Sequence, residues 1–182
     1  MEGPQREPPS APAGRGLALE VDAVPGSNEL KTMQEYLKPA LAKVGIDVTV
    51  RLSPDFPTWA RRVSTHQFEL TLDSVWNWGD PVIGVHRTWL SSNIKPGVIW
   101  SNTQNYSNPR VDQLLESAAK EMDLAKRKAM YKEMQKLVVD DCPVAFLLEA
   151  NVTEGYLAKV VQPPRGIWGM IDAMTDVGVK KA

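Results

Sequence analysis

The chain has 182 residues, which is enough for one domain with one substantial hydrophobic core. Hydrophobic residues make up 43% of it and charged residues 24%, a composition that excludes a wholly disordered protein. Because 21 Lys and Arg stand against 22 Asp and Glu, the net charge is −1 and no strongly basic surface is available, so we expect no nucleic-acid partner.

The first 16 residues contain four prolines and almost nothing apolar, and we expect residues 1–16 to be a flexible leader. They lack the basic-then-apolar pattern of a secretory signal peptide, so we expect no signal peptide within these residues. The sequence predicts one ordered domain over residues 17–161 and a C-terminal tail over residues 162–182.

Three predicted strands alternate with two predicted helices in the first part of this domain. The strands cover residues 17–24, 46–52 and 68–75, where apolar and polar side chains alternate. One helix follows Ser27 and stops at Gly45, and the other opens at Asp55. Strands that alternate with helices predict an α/β fold with a largely parallel sheet.

Helices dominate the second part of the predicted domain. Residues 82–92 favour a helix, and Asn108 and Asp123 are typical N-caps of two further helices that form a tight antiparallel pair. Their predicted buried residues are Val111, Leu114, Leu115, Ala118, Ala119, Met122, Met130, Tyr131, Met134, Leu137 and Val138. We expect residues 143–150 to form a buried strand, with residues 152–161 as its antiparallel neighbour or as an extended exit.

Residue chemistry gives no support for an enzyme. The single cysteine, Cys142, is flanked by acids rather than by a histidine, and we expect a buried structural thiol. His66 and His86 lack metal-ligand spacing and are interpreted as surface or helix-end residues, and Asp140 and Asp141 as part of a solvated turn. Neither a phosphate-binding loop nor a nucleophile elbow occurs, so we predict no catalytic residue, metal or cofactor.

One segment, SVWNWGDPVIGV from Ser74 to Val85, allows two interpretations. Trp76 and Trp78 stand at the carboxyl end of the third predicted strand, next to a Gly-Asp-Pro turn. Both indoles can fill the core, or they can form walls of a binding cleft, since ligands of open α/β sheets bind at this edge. The residues alone leave this choice open.

Several segments occur together in one known order. They are LKPALAKVGIDVTVR, TWARRVSTHQFELTLDS, GDPVIGVHRTWLSSNIKPG and, most specifically, NYSNPRVDQLLESAAKEMDLAKRKAMYKEMQKLVVDDCPVAFLLE. With them the chain resembles the C-terminal lobe of bacterial extracellular solute-binding proteins of family 5, the peptide, nickel and opine class. The resemblance covers roughly residues 17–161.

The resemblance implies one lobe of a type II periplasmic-binding-protein-like fold, with a mixed sheet flanked by helices. It further implies the substrate-binding component of an ABC importer, which closes two lobes around a small solute such as a peptide or opine. The expected partners are that solute, the missing N-terminal lobe and the importer's membrane subunits. The expected location is the periplasm, as part of a longer precursor.

The resemblance also implies a ligand face. Its residues are Asp73, Ser74, Val75, Trp76, Asn77 and Trp78. In peptide-binding members an aspartate holds the α-ammonium of the ligand, and Asn77 occupies that position here. Because asparagine cannot neutralise an ammonium, this departure from the family pattern argues against classical free-peptide binding and leaves open a different solute, such as an anionic or sugar-like conjugate. Asp80 is expected to cap the following helix.

Two other functions remain open. The chain is also consistent with an effector-sensing domain of a transcription regulator, which an upstream helix-turn-helix would favour. Alternatively, it is a stand-alone interaction module, which should dimerise through its uncovered edge.

Overall fold

The computed structural model describes residues 16–75, 79–149, 154–166 and 172–180. The elements in chain order are β1 (Leu17–Ala23), α1 (Asn28–Ala42), β2 (Ile46–Arg51), α2 (Phe56–Ser64), β3 (Leu70–Leu72), α3 (Pro81–Trp89), α4 (Pro109–Ala118), α5 (Leu124–Asp141), β4 (Val160–Val161) and β5 (Gly178–Val179). The predicted α/β class is confirmed. The predicted flexible leader lies outside the described residues except for Gly16.

The central sheet has three parallel strands in the order β2-β1-β3. Its core side includes four almost fully buried side chains, Val21, Val48, Trp59 and Val63. The third strand is shorter than the predicted 68–75, because β3 pairs with only the last three residues of β1. Residues 73–75 therefore leave the sheet as an exposed segment.

The helix between the first two strands is specified by local signals. The Ser27 hydroxyl accepts a hydrogen bond from Leu30 N at 3.2 Å, the N-cap arrangement expected from the sequence. After the helix, Gly45 has a φ of 82°, a left-handed conformation that glycine adopts without steric cost. Gln34 is buried and donates to the carbonyl of Val21 at 3.2 Å, which fixes α1 against β1.

The α4–α5 hairpin and the end of α3 form a second apolar cluster. Its buried members are Trp89, Tyr106, Val111, Leu114, Leu115, Met134 and Val138. Both predicted N-caps are confirmed, since Asn108 accepts from Arg110 N at 3.0 Å and Asp123 from Ala125 N at 2.8 Å. The prediction was wrong for Ala119 and Met122, which are exposed because α4 ends at Ala118.

The predicted buried strand at 143–150 is also wrong for its described residues. Residues 143–149 are irregular, and Phe146 and Leu148 are 66% and 67% exposed. The antiparallel partner of Val160–Val161 is instead Gly178–Val179, near the C-terminus. An apolar run predicts burial, but burial needs a partner surface, and here Val144 packs against the α4–α5 cluster and the Phe146 ring lies 6.2 Å from that of Trp89, which leaves most of the segment exposed.

Cys142 is a further correction, because its thiol is exposed rather than buried. The residue follows the last helical residue of α5 and adopts a φ of 48°, a left-handed C-cap conformation. This turn directs the chain away from the helix and into the uncovered segment 143–149. The cysteine therefore contributes no packing to the core.

Candidate functional site

The three parallel strands end at one edge of the sheet, which we call the carboxyl edge. It includes the residues that follow Ala23, Arg51 and Leu72. A backbone hydrogen bond from Val24 N to Leu72 O, at 3.1 Å, joins the ends of β1 and β3. Loops after parallel strands converge at such an edge, which is where open α/β sheets bind ligands. Side chains from distant parts of the sequence therefore meet there.

Asp73, the first residue of the predicted ligand face, lies directly after β3 at this edge. Its carboxylate accepts a hydrogen bond from the backbone N–H of Ser74 at 2.7 Å. Desolvation of the carboxyl by surrounding groups raises the pKa of Asp73 to about 6, against the lowering effects of the Ser74 and Trp100 donor groups and of the Arg87 charge.

The structure describes only two of the other five residues of the predicted ligand face. Ser74 and Val75 are exposed and follow Asp73 in the irregular segment after β3. Trp76, Asn77 and Trp78 lie outside the described residues. Their interpretation as walls and polar contact of a cleft stays a prediction.

An aromatic cluster that the sequence analysis missed is built on the first turn of α2. Phe56 is the first residue of α2, and its ring centroid is 5.7 Å from that of Trp59 and 5.7 Å from that of Trp100. Trp59 is fully buried and donates its indole N–H to Thr71 Oγ1 at 3.2 Å. Phe56 and Trp100 keep 40% and 43% of their surfaces exposed. Trp59 is thus the buried member of the cluster, and Phe56 and Trp100 are its exposed members.

A second acid at this edge, Asp22, is committed to a buried network. Asp22 is 2% exposed, forms an ion pair with Arg62 and accepts hydrogen bonds from the Ser53 hydroxyl at 2.8 and 3.1 Å. Because Ser53 belongs to the loop between β2 and α2, this network fixes that loop to β1. A buried charge that is paired in this way has a structural role.

Asp80 performs the predicted capping role at the start of α3. Its Oδ1 accepts from Val82 N at 2.9 Å, and the same oxygen is 2.7 Å from Nη2 of Arg127 on α5. The Arg127 guanidinium also lies over the Tyr131 ring, 5.5 Å from its centroid. The hydrogen bond from Arg127, followed by that from Val82, lowers the pKa of Asp80. Its carboxylate is therefore already occupied by protein groups.

His86 was expected to be a surface or helix-end residue, and the structure corrects the first half of that interpretation. It lies in the last turn of α3, but it is only 7% exposed, and its Nε2 is 2.9 Å from the Tyr131 hydroxyl. Burial lowers the pKa of His86, which favours the neutral ring. This histidine connects α3 to α5.

The two acids before Cys142 contact different groups. Asp141 accepts from the Tyr106 hydroxyl at 2.6 Å and from Asn108 Nδ2 at 2.7 Å, whereas Asp140 pairs with Lys136 at 2.5 Å. Among the described residues, no group of three or more His, Cys, Asp or Glu is placed to hold a metal ion. Within the same residues, no helix is long and apolar enough to cross a membrane.

The comparisons with known proteins give several matches of the fold. The ABC-transporter-associated periplasmic binding protein DppA from Helicobacter pylori, solved with the peptide STSA, matches 71% of the chain with a TM-score of 0.61 and 21% identity. A dipeptide-binding protein from Pseudoalteromonas sp. SM9913, with Met-Leu bound, matches 71% with a TM-score of 0.62 and 24% identity. NikZ from Campylobacter jejuni, with Ni(L-His), matches 70% with a TM-score of 0.61 and 21% identity.

These matches show that the chain has a periplasmic-binding-protein-like fold, as the sequence predicted. The chain covers 25%, 26% and 25% of the three solved chains, respectively, so it spans about a quarter of their length. Among curated sequences, Protein XP55 from Streptomyces lividans is 32% identical over 105 residues, which is 58% of this chain and 18% of that protein. No family model matches the chain.

Proposed function

We propose that this chain is the C-terminal lobe of the substrate-binding component of an ABC importer, and that it captures a small solute together with a second lobe. The observation that carries the proposal is the match of fold to solute-binding proteins over about 71% of the chain. These neighbours are binding proteins and not enzymes, and two of them have bound peptides and a third a nickel–histidine complex. The proposed lobe covers residues 17–161.

The carboxyl edge is the proposed ligand face. Asp73, Ser74 and Val75 lie there in the structure, and we assign Trp76, Asn77 and Trp78 to the same face as continuations of that segment. Ligands of the open α/β architecture bind at this edge, and the half-exposed aromatic rings of Phe56 and Trp100 support the assignment. The proposed protein acts by binding, and its location is the periplasm as part of a longer precursor.

The proposed partner of the exposed segment 144–149 is the N-terminal lobe. Phe146, Leu147 and Leu148 expose 66%, 45% and 67% of their surfaces, and such a contiguous apolar run favours coverage by another protein surface. The matched solved chains are about three times as long as this one, so they contain chain segments able to provide that surface.

The test compares two proteins by calorimetry and thermal shift. One is the longer reading frame that contains this chain, and the other is the chain alone, each with a panel of dipeptides, oligopeptides, opines, sugar conjugates and Ni–histidine. We expect at least one solute to bind the longer protein, and no peptide to bind the chain alone at micromolar concentration, because closed-state affinity needs contacts from both lobes. Micromolar peptide binding by the chain alone would refute the two-lobe proposal.

A further inference from the structure

Helix α2 contacts the loop between α3 and α4 at both of its ends. At the start of the helix, the ring centroid of Phe56 lies 5.7 Å from that of Trp100. Just after the end of the helix, Nδ1 of His66 lies 2.9 Å from the carbonyl oxygen of Thr103. The part of the loop from Trp100 to Thr103 therefore runs along α2, from its start to its end.

The direction of α2 places Trp100 at the carboxyl edge. Because β2 and β3 are parallel to β1, the helix that connects them begins near the carboxyl ends of the strands and ends near the opposite edge. Phe56 is the first residue of that helix, and Trp100 contacts it. His66 follows the other end of the helix. The histidine therefore lies away from the proposed ligand face, whereas Trp100 adjoins it.

The other side of the loop is fixed to the same end of α2. Gly97 N donates to the carbonyl of Ser64, the last residue of the helix, at 2.7 Å. Gly97 has a φ of 86°, a backbone conformation that glycine adopts without steric cost. Gly97 and Thr103 are thus both held at the end of α2, and the residues between them form a tip that carries Trp100.

The base of the loop is closed by Asn102, which is fully buried. Its Nδ2 donates to Leu90 O at 3.0 Å and to Tyr106 O at 2.7 Å. Its Oδ1 accepts from Tyr106 N at 2.9 Å. These bonds join the two ends of the loop to each other, whereas the bonds at Gly97 and Thr103 join the loop to α2.

The contact of His66 with the loop has a defined direction. A carbonyl oxygen can only accept, so Nδ1 carries the proton and donates to Thr103. Nε2 is buried and has no hydrogen-bond partner among the described residues. The backbone is left-handed at His66, with a φ of 57°, and at Trp100, with a φ of 55°. Such backbone is costly for residues other than glycine and persists where the surroundings impose it, often at functional sites.

We propose that His66 is a positioning residue, which holds Trp100 at the carboxyl edge through its hydrogen bond to Thr103. The half-exposed rings of Trp100 and Phe56 then form an aromatic wall that exists before the solute arrives. A preformed wall increases affinity, because binding does not have to order it. The inference rests on the proposed function, since this wall adjoins the proposed ligand face.

Two substitutions of equal shape separate the hydrogen bond from the backbone conformation. Asparagine and aspartate both tolerate left-handed backbone, but only asparagine offers an N–H near the position of Nδ1. In ¹⁵N spectra of the chain, His66→Asn should keep the Trp100 indole signal, which is assigned by its loss in Trp100→Phe. His66→Asp should shift that signal and speed exchange of the indole proton with water about threefold or more. Gln67→Ala, at the adjacent exposed position, is the control and should change nothing.

The longer reading frame tests the consequence for binding, with the dipeptides, oligopeptides, opines, sugar conjugates and Ni–histidine named above as probes. For each probe that binds, we expect His66→Asp to weaken affinity about threefold to tenfold and His66→Asn to leave it within about twofold. Trp100→Ala should weaken it about tenfold. Melting temperatures are measured for every variant, because a merely structural histidine would lower them without moving the Trp100 signal or the affinity.

Three results overturn the inference. An unchanged Trp100 signal in His66→Asp would show that other contacts place the loop, and equal effects of His66→Asn and His66→Asp would assign the effect to loss of the ring. Unchanged solute affinity in Trp100→Ala or His66→Asp would exclude Trp100 from the ligand face. Absence of any bound solute in the longer protein would refute the proposed function instead, and the Trp100 signal of the chain alone decides the role of His66 in that case.

Discussion

The Asp73 carboxyl is the residue whose ionisation links the candidate site to folding. Its folded pKa of about 6 lies above its ordinary value of 3.8, so the folded state binds more protons than the unfolded state between these two values. Its contribution to stability is therefore greatest below about pH 4 and is lost as the pH rises through 6. At neutral pH the charge at this position opposes folding.

We predict that Asp73→Asn raises the melting temperature at pH 7.5 by about 1 to 3 °C, a modest effect because the residue is exposed to screening solvent. The gain should disappear below about pH 4, where aspartic acid is neutral in both states. Thermal unfolding at four pH values between 4 and 7.5 measures it, with Asp47→Asn as the control. A gain that does not change with pH would contradict a desolvated Asp73.

At the scale of elements, α5 fixes the start of α3. Arg127 joins three structures, because its Nη2 contacts Asp80 at 2.7 Å, its Nε donates to Ala118 O at 3.0 Å and its guanidinium lies over Tyr131. Asp80 in turn caps α3 directly after the segment that carries the proposed ligand face. The α4–α5 hairpin therefore determines where that segment ends.

We predict that Arg127→Met lowers the melting temperature by about 2 °C and speeds amide exchange at residues 79–83 more than in α1. Asp80→Asn keeps the capping oxygen but removes the charge, and its effect should be smaller in the Arg127→Met background than in the original chain. Lys136→Met, which breaks the exposed pair with Asp140 on the same helix, is the control. Additive effects of the two changes would show that the ion pair contributes nothing.

The same elements show which features were readable from sequence. The N-caps Asn108 and Asp123, and the helix starts at Ser27 and Asp55, were identified because a cap is a contact within three residues. The end of β3 was placed three residues too late, because a strand ends where its partner stops pairing, and that partner is β1. The sequence pattern of one strand does not indicate how many of its residues will pair with the neighbouring strand.

At the scale of the whole molecule, apolar surface is concentrated in the segment after α5. Phe146 and Leu148 are exposed, and Cys142 precedes them with an exposed thiol. In the proposed longer protein the second lobe covers this segment. In the chain alone the same residues favour self-association.

We predict that Leu148→Glu makes the chain alone less prone to dimerise and to bind a hydrophobic dye, while its melting temperature changes by no more than about 1 °C. In the longer protein the same change should be destabilising, because it places a charge in a covered surface. Sedimentation and thermal unfolding measure both effects. Met122→Glu, at a position that is 92% exposed, is the control, and a large loss of stability in the chain alone would contradict an uncovered segment.

The sequence by itself determined the helices, their caps, the parallel α/β order and the location of Asp73 at the end of a strand, since these follow from patterns within a few turns of the chain. Only the tertiary structure brought Trp100 to Phe56 and gave Asp22 and Asp80 their arginine partners. These contacts join residues that are distant in sequence. Their formation depends on where the sheet and helices place each loop, and no local pattern specifies that placement.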